Sequence, residues 1–242
     1  MSRRERTVTR KVGAQPLESE TRQRLVEAGI RLFGLHGFAA TSTRQLAAQA
    51  GTNLAAIPYH FGSKEGLYRA VLERVVAVKQ VECGEMFGRV LAVCGDANSG
   101  REQVLAAMRG MVRGMAAVML GTEEARHFSS IMMQEQIAPT DSFDILFEGF
   151  FRRVHAVWAA LLGRLTGLPP GSMELDLRAL AVMGQLVIFR VGMSAALRYV
   201  GSDRLSDAHL KCIADLVVNQ TEAIVAGFSP VCSQPRQEVA QP

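Results

Sequence analysis

A chain of 242 residues with 48% hydrophobic and 21% charged side chains has the composition of a folded protein, which excludes disorder throughout. The apolar runs around Ala179 to Phe189 and Met115 to Leu120 fall short of the ~20 residues a bilayer-spanning helix needs, and Arg109, Arg113 and Arg190 interrupt their surroundings, which argues against an integral membrane protein. The formal charge of +4 divides unevenly: residues 1–79 hold 13 basic and 6 acidic side chains, or +7, and residues 80–242 hold 14 and 17, or −3.

A basic segment joined to a weakly acidic, apolar remainder is expected where one part meets a polyanion and the other does not. The opening Met1-Ser-Arg-Arg-Glu-Arg runs into a polar stretch without the apolar core of a secretory signal, so the expected address is the cytoplasm. Cys83, Cys94, Cys212 and Cys232 have neither CxxC spacing nor close histidines. No metal, cofactor or disulfide framework is expected, and the cysteines read as small buried residues.

Residues 1–17 are polar and basic without apolar periodicity and read as a disordered arm. Leu25, Ala28, Gly29, Leu32, Phe33 and His36 then follow the stripe of an amphipathic helix, closed by Gly37. Ser42 with Gln45 three residues on is the pattern in which each side chain caps the other's backbone N–H, predicting a short helix over about 43–50. Gly51 ends it, and Thr52-Asn53 offers a start for another short helix to about Phe61. Ser63 as N-cap and Glu65 in the first turn begin a longer helix that carries Leu67, Val71, Leu72 and Val75 inward.

The remainder predicts helices over 77–93, 101–120, 123–137, 142–166, 173–200 and 206–228, separated by turn-forming clusters such as Gly95–Gly100 and Gly167-Leu-Pro-Pro-Gly171. No strand alternation of useful length and no repeat of fixed period occur. The expected fold class is all-α: an N-terminal three-helix domain containing a helix-turn-helix, then a larger helical domain. The domain boundaries expected are 1–17, 18–79, 80–228 and a disordered tail over 229–242.

Two short helices across a glycine turn, followed by another helix, match a helix-turn-helix, whose second helix enters the DNA major groove. The segments Thr41-Ser-Thr-Arg-Gln-Leu-Ala, Ala50-Gly51 and Ile57-Pro-Tyr-His-Phe-Gly-Ser-Lys-Glu-Gly-Leu-Tyr68 resemble the DNA-binding domain of TetR-family transcriptional regulators over about residues 20–75. The form of Asn53 to Tyr68 is similar to the CecR-like subgroup, described as having a CerR-type C-terminal domain.

Thr43 and Arg44 stand in the first turn of the second helix, where N–H groups and a guanidinium meet phosphate or a guanine edge, and the resemblance supports both placements. Thr52, Asn53, Leu54, Ala55 and Ala56 are expected at the leading end of the recognition helix; Asn53 either caps that helix or hydrogen-bonds a base. Tyr59, His60 and Lys64 resemble the family's phosphate-contacting positions, against alternatives of local packing for Tyr59 and a structural hydrogen bond for His60. Leu32, Phe33, Leu46, Ala47, Ile57 and Phe61 read as the core that fixes the docking angle. Pro58 departs from the family's pattern and predicts a short or tightened recognition helix.

The resemblance implies a homodimer on a palindromic double-stranded operator, with the last two helices forming a four-helix bundle with their mates. Leu180, Met183, Leu186, Val187, Leu216, Val217 and Ile224 are the expected contributors. It also implies a small-molecule effector bound among the methionine- and phenylalanine-rich middle helices. Candidate ligand contacts are Phe128, Met132, Glu135, Phe151, His155, Trp158, Gln185 and Arg190. An enzyme is disfavoured because no GxSxG, HExxH, Walker or GxGxxG pattern is present. An architectural DNA-binding protein without ligand control is the remaining alternative to a ligand-released repressor. It has no need of a helical domain more than twice the size of its DNA reader.

Overall fold

The computed structural model describes residues 14–121 and 123–231, and these are all-α. The chain divides into two compact units, residues 1–74 and 75–242. The first contains α1 (Ala14–Ala40), α2 (Thr43–Gln49) and α3 (Ala56–Phe61), and α4 (Lys64–Gly95) begins in it. The second takes the rest of α4 and then α5 (Arg101–Leu120), α6 (Glu123–Ile137), α7 (Phe143–Leu146), a π-helical turn (Phe147–Phe151), α8 (Arg152–Thr166), α9 (Met173–Val191), α10 (Met193–Tyr199) and α11 (Asp207–Ala226).

Four expectations are corrected. The arm expected over 1–17 is helical from Ala14, with Pro16 in the first turn, where a missing N–H costs nothing; residues 1–13 lie outside the described residues, as does the tail from 232. The helices expected over about 63–79 and 77–93 are one, α4. The helix expected over 142–166 is interrupted by the π turn, and that over 173–200 bends by 73° at Gly192.

In the N-terminal unit Leu25, Phe33, Leu46, Ile57, Leu67 and Val71 are almost fully buried, and Phe33 meets Tyr68 edge to face at 4.9 Å. Phe61 and Leu32, expected in this core, are only half-buried. Instead of packing inward alone, the Phe61 ring lies 5.2 Å from the Arg22 guanidinium.

The C-terminal unit is built round α5, which buries Val104, Met108, Met111, Val112 and Met115 on one face. Its other face pairs with α11: Arg109 with Glu222 at 2.6 Å and Arg113 with Asp215 at 3.1 Å. This packing shows α5, although long and apolar enough by composition to cross a membrane, as an amphipathic core helix. The Asp96–Gly100 turn is pinned from α8, where Arg164 donates to the carbonyl oxygens of Cys94 at 2.7 Å and Ser99 at 2.8 Å. The bond to Cys94 O satisfies a carbonyl left over at the end of α4, and that to Ser99 O holds the turn that follows.

Candidate functional site

Helices α2 and α3 are positioned by local chemistry. Thr41 Oγ1 donates to Gly37 O at 2.7 Å and Leu32 O at 3.2 Å, tying the entry of α2 to the end of α1. Gln45 N–H donates to Ser42 Oγ at 3.3 Å while Ser42 N–H donates to Gln45 Oε1 at 2.8 Å, the reciprocal cap expected from the spacing. Arg44 is left exposed in the first turn of α2 and Thr43 half-buried.

Gly51 turns the chain with φ +62°, and Thr52 N–H then donates to Ala47 O at 3.0 Å. Residues 52–55 precede the recognition helix instead of opening it: α3 starts at Ala56, and no side chain caps it, so Asn53 is not an N-cap. Pro58 explains the late start. In a helix begun at Thr52 or Asn53 its ring would collide with the Leu54 carbonyl and its missing N–H would break the ladder; as the third residue of α3 it loses nothing. Ala56 is 9% exposed and packs inward, so its methyl is not on the surface where DNA contact was expected. Asn53 and Ala55 are exposed, as are Leu54 and Tyr59, at 50% and 71%.

His60 is half-buried and meets the Tyr59 ring edge to face at 4.9 Å. Lys64 Nζ sits 4.2 Å above the Phe38 ring at the start of α4, a contact that orients the ammonium. Gly66 N–H donates to Ser63 Oγ at 3.1 Å, capping α4, and the Ser63 hydroxyl followed by the helix-start N–H of Glu65 holds the Glu65 carboxyl below the usual carboxylate range. A Cβ at Gly66 would fall 1.9 Å from Phe61 O, so only glycine lets α3 pass so close to the first turn of α4.

The C-terminal unit contains a partly open cavity of about 80 Å³. Its wall is apolar: Met115, Met119, Met132, Met133 and Met183, with Phe150, Phe151 and Trp158. Of the candidate ligand contacts, Met132, Phe151, Trp158 and Arg190 line it. Phe128, Glu135, His155 and Gln185 do not, because each is engaged elsewhere. Phe128 is buried beneath Lys79 Nζ at 5.5 Å, and Glu135 accepts from Thr140 N–H at 3.1 Å and its hydroxyl at 3.0 Å. His155 Nε2 lies 3.1 Å from Asp176 O, and Gln185 Nε2 donates to Thr221 Oγ1 at 3.4 Å.

The sequence reading missed Lys79 and Ser129, which also line the cavity. The sign of Lys79 was in the sequence: Leu72, Val75, Val76, Lys79, Cys83 and Phe87 form one inward stripe at helical spacing, and a lysine on that stripe must be buried. It is 2% exposed and pairs with Glu82 at 2.7 Å. Met183 and Val187, expected on a surface between copies, line the cavity, and Leu186 and Val217 are buried inside the unit. Helix α9 has two apolar faces, and Met183, Leu186 and Val187 occupy the inner one, while Val217 lies on the inner face of α11.

Residues 25–71 match the model for bacterial regulatory proteins of the tetR family, and residues 105–228 match the model described as the C-terminal domain of the HTH-type transcriptional dual regulator CecR. The chain is a TetR-family transcriptional regulator of the CecR type. It binds DNA and is not an enzyme. This regulator is 29% identical to the dual regulator CecR of Shigella flexneri over 218 residues, 87% of the chain and 93% of that protein. It is 36% identical to the transcriptional repressor NicS of Pseudomonas putida over 70 residues, 28% of the chain and 33% of that protein. Among solved structures it resembles a TetR-like regulator from Rhodococcus at TM-score 0.56 and 22% identity, covering 92% of this chain and all of that one. A SmeT–triclosan complex matches at TM-score 0.55 and 20% identity, covering 90% and 99%.

Proposed function

We propose that this regulator is a homodimeric repressor in the cytoplasm, holding a palindromic operator through α2 and α3 and releasing it when a small molecule fills the C-terminal cavity. Arg44 and Thr43 meet DNA from α2, the segment Thr52 to Ala55, half-buried at Thr52 and exposed from Asn53, reads bases, and Tyr59, His60 and Lys64 contact phosphate.

The observation that carries this reading is Lys79. The helix that begins at Lys64, beside the recognition helix, is the same helix whose Lys79 forms part of the cavity wall. An occupant that prefers one position of α4 therefore acts on the DNA-binding unit, and a differential of ~1–3 kcal/mol is enough for typical allosteric control. The SmeT–triclosan complex, a small molecule bound to a protein of similar fold, supports a small-molecule ligand. The name of the Shigella relative favours a second reading, a regulator that both represses and activates.

The test is selection of bound sequences from random duplex DNA by the purified protein, with its mass in solution measured alongside. A palindromic consensus bound by a dimer is expected. No enriched sequence would overturn the operator reading in favour of an architectural role.

A further inference from the structure

We propose that the cavity takes an amphipathic organic anion, its apolar body among the methionines and Trp158 and its acid group on Arg190. This rests on the reading of the cavity as an effector site and adds the chemistry of the ligand.

Two cations enter a wall that is otherwise largely apolar, Lys79 and Arg190. They are not equivalent. Lys79 has its counter-ion, Glu82, at 2.7 Å. Arg190 Nη2 donates to the Arg126 carbonyl oxygen at 2.8 Å and Ser130 Oγ at 3.2 Å, both neutral acceptors, and among the described residues no carboxylate lies within ion-pair distance. Its burial and the neighbouring Arg126 guanidinium push its pKa below the ordinary arginine value, yet arginine stays charged in proteins. A half-buried guanidinium that faces an apolar cavity and, among the described residues, meets only neutral acceptors favours an occupant that supplies a negative charge. A neutral occupant leaves that charge as it is, and a cationic one is repelled by Arg190.

Size adds a constraint. A cavity of about 80 Å³ is below the ~150 Å³ that accepts benzene. Even a one-ring occupant must displace side chains, and five methionines in the wall are the residues able to yield at low cost.

Trp158 is the chain's single tryptophan, is 1% exposed and lines the cavity, so its fluorescence reports occupancy directly. Decanoate, decanol and decyltrimethylammonium, and in parallel 2-naphthoate and 2-naphthylmethanol, are titrated into the full-length protein. In at least one series the anion is expected to bind tenfold or more tightly than its neutral partner. Arg190→Gln should shrink that preference to about twofold while leaving the alcohol's affinity in place, and Arg190→Lys should restore part of it. Lys79→Met, which leaves Arg190 intact, should retain most of the preference and serves if Arg190→Gln does not fold. Equal binding of anion and alcohol in both series, no binding of any probe, or a preference that survives Arg190→Gln each overturns the proposal. Anion binding that leaves operator affinity unchanged would instead keep the ligand class and overturn effector release.

Discussion

Arg44 and Lys64 bring the same charge to the reading unit in different surroundings, and their removal should be distinguishable. Among the described residues no hydrogen bond or ion pair holds Arg44, which is exposed. Arg44→Ala should therefore change the unfolding free energy by no more than about 0.5 kcal/mol while costing about 1–3 kcal/mol of operator affinity. Full affinity in a filter or mobility assay would remove it from the reading set. Lys64→Ala loses a ring contact as well as a charge. It should weaken specific and non-specific binding alike and reduce the slope of log affinity against log salt by about 1; an unchanged slope sinks its phosphate role. The cysteines offer a residue-scale check on packing. Burial pushes the Cys83 thiol up to about 11, with Lys79 only partly opposing it, and pushes Cys94 up as well, whereas Cys212 is exposed. At pH 8 roughly a thousandth of Cys83 is thiolate. Of these three cysteines, iodoacetamide labelling followed by mass spectrometry should modify Cys212 first and Cys83 last, and labelling of Cys83 at the rate of Cys212 would contradict its burial.

At the scale of elements, legibility followed the range of the interactions that define each boundary. Ser42 with Gln45, and Ser63 ahead of Gly66, are caps made within three residues, so their spacing predicted them. Helices α5 and α6 end at turn formers and match their predicted limits. Hidden features lacked such marks. The π turn Phe147–Phe151 lies within an apolar run, and its placement depends on α4: Gln80 Nε2 donates to Gly149 O at 3.0 Å, and a Cβ at Gly149 would stand 2.7 Å from Val76 Cγ1. The partners of His155, Gln185 and Arg190 lie 21, 36 and up to 64 residues away, and no local pattern announces them. Glu135 has its partner five residues on, in a loop where helical periodicity no longer applies. The contact at Gly149 yields a prediction: Gly149→Ala should cost about 1–3 kcal/mol of stability by overpacking against Val76. Urea unfolding measures it, and an unchanged midpoint would mean that α4 and the π turn separate freely.

For the whole molecule, the question is what covers the outer face of α9 and α11. Leu177, Leu180, Ile188 and Val191 are 54–59% exposed along α9, and Leu216 and Ile224 are 45% and 42% exposed on α11. Of the residues expected to join two copies, Leu180, Leu216 and Ile224 lie on this face, while Leu186 and Val217 are buried within one chain at 2% and 1%. Periodicity alone could not separate the two sets, because α9 is apolar on both sides. Exposed leucine, isoleucine and valine on adjacent helices form the kind of face that marks an interaction surface, and the second copy of the proposed homodimer, placed by a two-fold axis, would cover it with the same residues. The double substitution Leu180→Glu with Ile188→Glu places four carboxylates in that shared surface without entering the core. It should halve the mass measured by sedimentation or light scattering, keep the helical circular dichroism, and abolish palindrome-specific binding because two half-sites are no longer read together. Leu186→Ala makes the opposite prediction: a loss of about 2–5 kcal/mol in stability with the dimer intact. If the Glu pair leaves the mass unchanged while Leu186→Ala separates the copies, the inner face of α9 is the interface and its outer face must be covered by something else.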